Sequence, residues 1–440
     1  MSGPADEAAV ERRTLRKIAW RILPLVALGY AVSYMDRVNI SFAAERMNAE
    51  RGFSAGVYGL GAGLFFLSYA LFEVPSNMIL ARVGARVWIA RIMFTWGLIS
   101  AGMMFVATPA QFYAARFLLG LAEAGFFPGV VYYLSQWFPA AHTARAIGRF
   151  YVAVPLVSVV MGAVAGALLS MHGLLGLSGW QWLFLIEGLP AVFLSLAVLL
   201  WLPDRPATVR WLTAAEKAWL EARLAADAAA RGVAEHGFWR ALANPVVLTL
   251  GAANFLMLGS FNAFNFSVPQ LLNETTRWGE TRVGWLIAAA SLAGAAAMLV
   301  NTWHSDRTGE RFRHAAFPLF AGAAGFAVIA LSEAPGVVVA AYVFTVTATF
   351  AFTPTLWTVS HALLPPRSSA ISIAAINTIG QTGSFVAPFA WGLARDATGS
   401  FQAGAAALPF CYAASGALIL LLGLRAQTKN SPSLSRNMSD

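Results

Sequence analysis

Cysteine is nearly absent from this chain: Cys411 is the only one in 440 residues. A lone thiol rules out an internal disulfide framework. Charge is scarce as well, at 12% of residues against 58% hydrophobic. Globular chains carry about 25% charged residues, and a soluble chain of this length would divide into polar-surfaced domains. The composition cannot supply that surface. The six histidines are scattered without ligand spacing, and no glycine-rich loop ends in Lys-Ser or Lys-Thr. ATP-driven transport and membrane enzymology therefore lack their residues, and neither a metal nor a cofactor is expected. A cleavable signal peptide is also missing: the first 17 residues, MSGPADEAAVERRTLRK, are polar and charged, and the apolar run behind them is long enough to stay as structure.

Long apolar runs are what the chain has in abundance. A membrane-spanning helix needs about 20 mostly apolar residues. Twelve such runs are present, at about 18–44, 56–80, 87–107, 111–138, 144–170, 181–202, 245–272, 282–304, 314–332, 336–362, 369–394 and 404–425. Barrel strands would be about 10 residues long with alternating polarity. The expectation is an all-α membrane protein with twelve transmembrane helices. A six-helix bundle over 18–202 follows a tail at 1–17, and a second bundle over 245–425 precedes a tail at 426–440. Between the bundles lies a linker at 203–244.

Positive charge sorts to one side. Arg12, Arg13, Arg16, Lys17 and Arg21 precede span 1, and Arg82, Arg86 and Arg91 follow span 2. His142, Arg145 and Arg149 follow span 4, Arg307, Arg311 and Arg313 follow span 8, and Arg425, Lys429 and Arg436 follow span 12. All fall on the cytoplasmic side of an inner (plasma) membrane if both termini are cytoplasmic. Two outer loops, near 45–51 and 274–282, balance their Arg with Glu. The net charge of +9 is thus mostly a topology signal, and nucleic acid is not an expected partner. In the linker, Thr213 and Glu216 have capping-box spacing, and Trp219, Leu220, Arg223 and Leu224 fall at helical spacing. A linker helix along the membrane surface is expected there, in preference to a regulatory site.

The chain also repeats itself. ARVGAR at 81–86 and DRTGER at 306–311 share Arg-x-Gly-x-Arg, each after the second span of its half. Two parallel six-helix halves with a substrate site between them is a transporter plan. A pore would show a ring of filter residues, and none is visible.

At this point the residues resemble a family. HSDRTGER at 304–311 is similar to the signature between helices 8 and 9 of the major facilitator superfamily. MDRVNISFA, YALFEVPSNMILARVGARVWIARIMFTWG, RFLLGLAEAGFFPG, LPDRPATVRWLTAAEKAWL and AINTIGQTGSFVAPFAWGLARDATGS resemble its anion:cation symporter family. That family includes bacterial permeases for sugar acids, tartrate, phthalate and hydroxyphenylacetate, with sialin among its animal relatives. The resemblance runs from about 15 to 425. It implies a monomeric secondary transporter that imports a small organic anion with protons, rather than sodium, by alternating access. Arg82, Gly84 and Arg86, with Asp306, Arg307, Gly309 and Arg311, would be its gating and structural motif. Ala81 departs from the superfamily, which has an acid there, so the first-half latch should be weaker or built from other residues. A drug or metabolite exporter is the alternative, although span 5 lacks the Gly-Pro…Gly-Gly stretch associated with antiporters.

Charges inside the spans mark the candidate site. SYMDRVNISF at 33–42 sets Asp36 beside Arg37 within an apolar run, where a charge costs about 2.5–3.5 kcal/mol on insertion scales. Arg116 lies at a depth similar to that of Asp36, and Glu123, seven residues on, shares its helix face and sits nearer the midplane. Together the four should form one nearly neutral cluster. Arg stays protonated and can grip a carboxylate bidentately, whereas a carboxylic acid can change charge. Asp36 and Glu123 are therefore the proton-carrying candidates and Arg37 and Arg116 the charge partners, as the resemblance also implies. Unprotonated Glu123 is expected to hold Arg116 and to release it on protonation. The bland alternative is a salt-bridge network joining helices 1 and 4.

Glu73 and Glu187 lie toward inner helix ends, where capping or pairing with nearby Arg is expected. Tyr69, one turn from Glu73, can donate to a carboxylate, and the resemblance places a substrate-facing tyrosine there. The second half offers neutral groups: Asn262, Asn265, Thr353, Thr355 and His361, with Asn377 and Gln381 at i,i+4 among glycines. Asn377 and Gln381 either bind substrate or bridge closely packed helices. Gly125-x-x-x-Gly129 and Gly162-x-x-x-Gly166 are read as packing motifs.

Overall fold

The computed structural model describes residues 4–151, 153–231, 238–364 and 369–430. The side chains of Arg149 and Lys429, the surroundings of Gly162 and all of Arg436 lie outside the described residues. Seventeen α-helices follow in chain order. The first half comprises α1 (Pro4–Arg51), α2 (Ala55–Val83), α3 (Ala85–Gly102), α4 (Pro109–Glu123), α5 (Phe126–Ser135), α6 (Ala140–Tyr151), α7 (Ala153–Leu169) and α8 (Gly179–Trp201). The connection holds α9 (Ala214–Arg231) and α10 (Phe238–Leu242). The second half comprises α11 (Pro245–Thr276), α12 (Glu280–Thr308), α13 (Phe312–Leu331), α14 (Pro335–Leu363), α15 (Ser369–Thr398), α16 (Phe401–Ala405) and α17 (Leu408–Asn430).

Among the described residues, ten helical segments are long and apolar enough to cross a membrane. The two other expected spans are occupied as well. Span 5 falls on α6 and α7, on either side of residue 152, and span 11 falls on α15, whose Asn377 and Gln381 make it more polar. Helix starts follow local chemistry. Thr108 and Gln111 close a capping box around Pro109 at the head of α4, and Ser178 and Gln181 close another at α8.

Span 4 differs from the expectation of one continuous helix. It breaks at Ala124 and Gly125, directly after Glu123. Gly125 has φ +86°, a left-handed conformation that glycine adopts without a Cβ clash. It is thus a break point as well as a packing residue, because a Cβ there would also lie 2.5 Å from Ser76 Oγ on α2.

The halves meet along α2 with α15, α7 with α12 and α1 with α11. At the end where α1 finishes, the outer end by the charge expectation, backbones come into direct contact. A Cβ on Gly59 would sit 2.3 Å from Pro388 O, and one on Gly392 would sit 2.2 Å from Ala55 O. Polar groups seal the same end. Arg46 grips both oxygens of Glu280 at 2.7 and 2.9 Å, and Asn273 donates to Glu45 at 3.0 and 3.2 Å. Asp396 accepts from Ser54 Oγ (2.7 Å) and from the Ala55 and Gly56 amides (2.9 and 2.8 Å). A carboxylate from α15 thus sits on the positive end of the α2 dipole. Of the balanced charges in those two loops, Arg46 and Glu280 pair across the halves, whereas Glu50 accepts from Ser178 and Trp180 of its own half.

The motif loops behave differently. Arg86 pairs with Asp204, just beyond α8, at 3.1 Å. A carboxylate from beyond α8 thus meets the motif arginine where Ala81 offers none. Gly84 and Gly309 carry φ +99° and +67° at the turns, and Arg82 closes the last turn of α2. Asp306 is exposed, Arg307 lies over the Trp303 ring, and Arg311 donates to Thr358 O at 3.4 Å.

The linker helix is fastened to the first half. Thr213 and Glu216 form the expected reciprocal cap at 2.9 and 3.3 Å, and Glu216 also takes Lys17 at 2.8 Å. Asp227 accepts from the Ala140 amide, and Trp211 stacks on Trp137. Burial opposes the Glu216 charge, but Lys17 and the Thr213 amide and hydroxyl outweigh it and hold its carboxyl below the usual range. The contribution of Glu216 is thus present above its ordinary value of 4.5 and is lost as pH falls through the lower native one. Limited proteolysis of the linker should accelerate at acid pH, and Glu216→Gln should show that faster cleavage already at neutral pH.

Candidate functional site

Successive residues on a helix point about 100° apart, so Asp36 and Arg37 cannot face the same neighbours. Arg37 turns toward α4 and α2. Its Nε and Nη2 contact Glu123 Oε1 at 2.7 and 2.6 Å, and Ser33, one turn back on α1, donates to the same oxygen at 2.6 Å. The guanidinium lies 4.9 Å from the Tyr69 ring and 5.6 Å from the Phe65 ring, within cation–π range. Glu123 is fully buried, whereas the Arg37 side chain stays 19% exposed.

Asp36 turns the other way, toward α3 and α8. It accepts from Ser100 Oγ on α3 and from the Asn39 amide at 3.3 Å. Glu187 on α8 is in electrostatic range of it. Arg116 lies between the two groups. It is buried, it interacts with both Asp36 and Glu123, and its Nε donates to Gly61 O at 3.4 Å. Its guanidinium sits 4.9 Å from the ring of Phe65, so one aromatic ring serves two arginines. Its two terminal nitrogens have no hydrogen-bond partner in the protein.

The four expected charges are therefore neighbours, but they form two groups with Arg116 between them. In this conformation Glu123 holds Arg37, not Arg116. The physical reason is distance along α4: seven residues place Arg116 about 10 Å up the axis from Glu123, while α1 brings Arg37 alongside it.

The second half reaches the site through α15. Asn377 donates to Glu73 Oε2 at 3.4 Å, joining the halves within the site. Glu73 was expected to cap or to pair with inner-side Arg; it is placed instead opposite the second half, in electrostatic range of Arg37. Gln381, one turn on, is buried with an unpartnered Oε1. The remaining neutral candidates mostly bond locally. Asn262 ties to Leu258 O and Ser384, Thr353 to Thr349 O, Thr355 to Phe352 O and His361 to Trp357 O. Asn265 instead lines a small cavity of about 30 Å³ between the halves, with Tyr34 and Ser41.

Sequence reasoning missed Ser33, Asn39, Phe65 and Ser100. Ser33 and Asn39 had a signal, since they lie at i−4 from Arg37 and i+3 from Asp36. Phe65 and Ser100 had none, because only packing brings α2 and α3 to these charges. Among the described residues, no group of three His, Cys, Asp or Glu could hold a metal ion.

The model of the Major Facilitator Superfamily matches residues 26–388. The chain is 44% identical to a protein of Agrobacterium vitis named "Putative tartrate transporter", over 90% of this chain and 88% of that one. It is 38% identical to the "Quinolone resistance transporter" of Acinetobacter baumannii, over 90% and 91% of the two chains. The inward-open structure of the xylose transporter XylE from E. coli superposes with a TM-score of 0.72, covering 95% of this chain and 98% of that one. At 14% identity, that likeness is one of fold alone.

Removing one member of the Arg37–Glu123 pair leaves a buried charge without its partner, which typically costs about 3–5 kcal/mol. Glu123→Gln should therefore lower thermal stability in detergent more than the double variant Arg37→Met/Glu123→Gln. Equal losses in both would mean that the pair is not energetically coupled.

Proposed function

The chain belongs to the Major Facilitator Superfamily, and from that premise we propose that it imports a small organic anion with protons by alternating access. It is a multi-pass membrane transporter and not an enzyme. The substrate class is a carboxylate such as tartrate, another sugar acid, a dicarboxylate or an aromatic acid. The observation that carries this reading is Arg116: a buried guanidinium with two terminal nitrogens that no protein group accepts. Such a fork suits a carboxylate, which can take two parallel hydrogen bonds from it. The name of the Agrobacterium vitis relative points to the same chemistry.

In this reading Asp36 and Glu123 carry the coupling protons. Protonation of Glu123 removes the partner of Arg37, which then turns to the substrate. Arg37 and Arg116 hold the anion from the first half with Tyr69 as hydroxyl donor, and Asn377 and Gln381 reach it from the second. The neutralised, loaded site then allows the halves to rock: the Arg46–Glu280 and Asp396 contacts form at the outer end while the inner-end motif of Arg82, Gly84, Arg86, Asp306, Arg307, Gly309 and Arg311 opens. Return of the empty carrier breaks the outer contacts and closes that motif. Both termini face the cytoplasm of the inner membrane, protons rather than sodium drive uptake, and one chain suffices.

A second reading, export of drugs or metabolites, is favoured by the name of the Acinetobacter baumannii relative. Proteoliposomes separate the two. Sugar acids, dicarboxylates and aromatic acids are offered with and without an inward proton gradient, and a quinolone is loaded inside. The expected result is gradient-driven accumulation of at least one anion, lost in Arg116→Lys. Glu123→Gln should keep substrate exchange but lose accumulation. Quinolone efflux without gradient-dependent uptake of any anion would overturn the importer.

A further inference from the structure

Glu187 is a buried carboxyl that the proposed cycle does not use. It is 2% exposed on α8, and both its oxygens lack a hydrogen-bond partner. Around it stands a cluster with too few donors. Asp36 Oδ2 and Asn39 Oδ1 are also buried and also without a donor. The donors present, Ser100 Oγ and Asn39 Nδ2, both go to Asp36 Oδ1. Four buried acceptor oxygens from three side chains therefore lack a hydrogen-bond partner, and the second N–H of Asn39 can serve one of them at most.

The helices packed on α8 offer no cation to Glu187. α1 presents Asp36 and Asn39, while its Arg37 is engaged by Glu123. α3 presents Ser100, and close packing of Gly188 against Gly97 and Ala101 holds α8 to α3 beside it. α7 carries no ionisable residue. Arg116 on α4 is in electrostatic range of Asp36, and Glu123 also acts on Asp36. Buried polar groups are almost always satisfied, and an isolated buried carboxylate is expensive. Protonation supplies a hydrogen where the cluster needs one: each protonated carboxyl gains one O–H donor.

We propose that Glu187 is a proton-binding site that titrates as a pair with Asp36 across Asn39. This rests on the proton-coupled reading above and adds a position to it. Protonated Glu187 donates to Asn39 Oδ1 or to Asp36 Oδ2, and no other bond is made or broken. Because the two carboxyls share one small cluster, their proton steps belong to the pair and not to either residue. Proton uptake at the outer half of α1 then extends beyond the Arg37–Glu123 pair to α3 and α8, the helices behind it.

Infrared spectroscopy of the purified, substrate-free protein tests this, using the C=O stretch of protonated carboxyls across a pH titration. Wild type minus Glu187→Gln should show a titrating carboxyl band, and Glu187→Asp should shift that band in frequency. Asp36→Asn should move the pH at which the Glu187 band titrates, as pairing requires. A Glu187→Gln titration identical to wild type would overturn the proposal. So would a Glu187 band whose titration ignores Asp36→Asn. Should Glu187→Gln not fold, the Glu187→Asp frequency shift decides alone. No substrate is present, so failure here is distinct from failure of anion uptake in proteoliposomes.

Discussion

Everything around the site depends on one ion pair, Arg37 with Glu123, held in apolar surroundings. A charge on a membrane helix is expensive to insert. The fold answers that cost in several ways at once: a carboxylate on α4, a hydroxyl from Ser33 and the rings of Tyr69 and Phe65. The break at Gly125 follows directly on Glu123, so the chain ends one helix at its most deeply buried acid. Distance along α4 keeps Arg116 off Glu123, and its terminal nitrogens have no hydrogen-bond partner in the protein.

The geometry of α1 then divides the polar interior. Arg37 looks toward the space between the halves and Asp36 into the first half. One sequence pair thereby serves two neighbourhoods, one made by Glu123, Tyr69 and Phe65 and one by Asn39, Ser100 and Glu187. Arg116 lies between and interacts with both Asp36 and Glu123. At the outer end, direct backbone contact at Gly59 and Gly392 and the Asp396 cap hold the halves together.

Much of this was legible in the sequence, for identifiable reasons. Bilayer thickness forces runs of about 20 apolar residues, so the spans, the linker and its Thr213–Glu216 cap could be read directly. Asp36, Arg37, Arg116 and Glu123 stood out because charge is rare in such runs. With no acid at position 81, Arg86 finds its carboxylate on Asp204, a partner that spacing within the motif did not indicate. The partner of Glu123 was not legible. Sharing a helix face suggested Arg116, but contact across to α1 is shorter than two turns along α4.

What the sequence by itself determined is the membrane-spanning helical architecture, its duplication and the identity of the buried charges, because hydropathy and repeat spacing are properties of the chain alone. Only the tertiary structure decided which charge meets which. That outcome depends on how α1 is rotated, on where α4 breaks and on which helices glycine lets come close. It placed Glu73 opposite Asn377, set Asp396 on the end of α2 and left Glu187 in a cluster short of hydrogen. Each of these joins residues far apart in the chain, and spacing along one helix carries no information about a neighbour supplied by another.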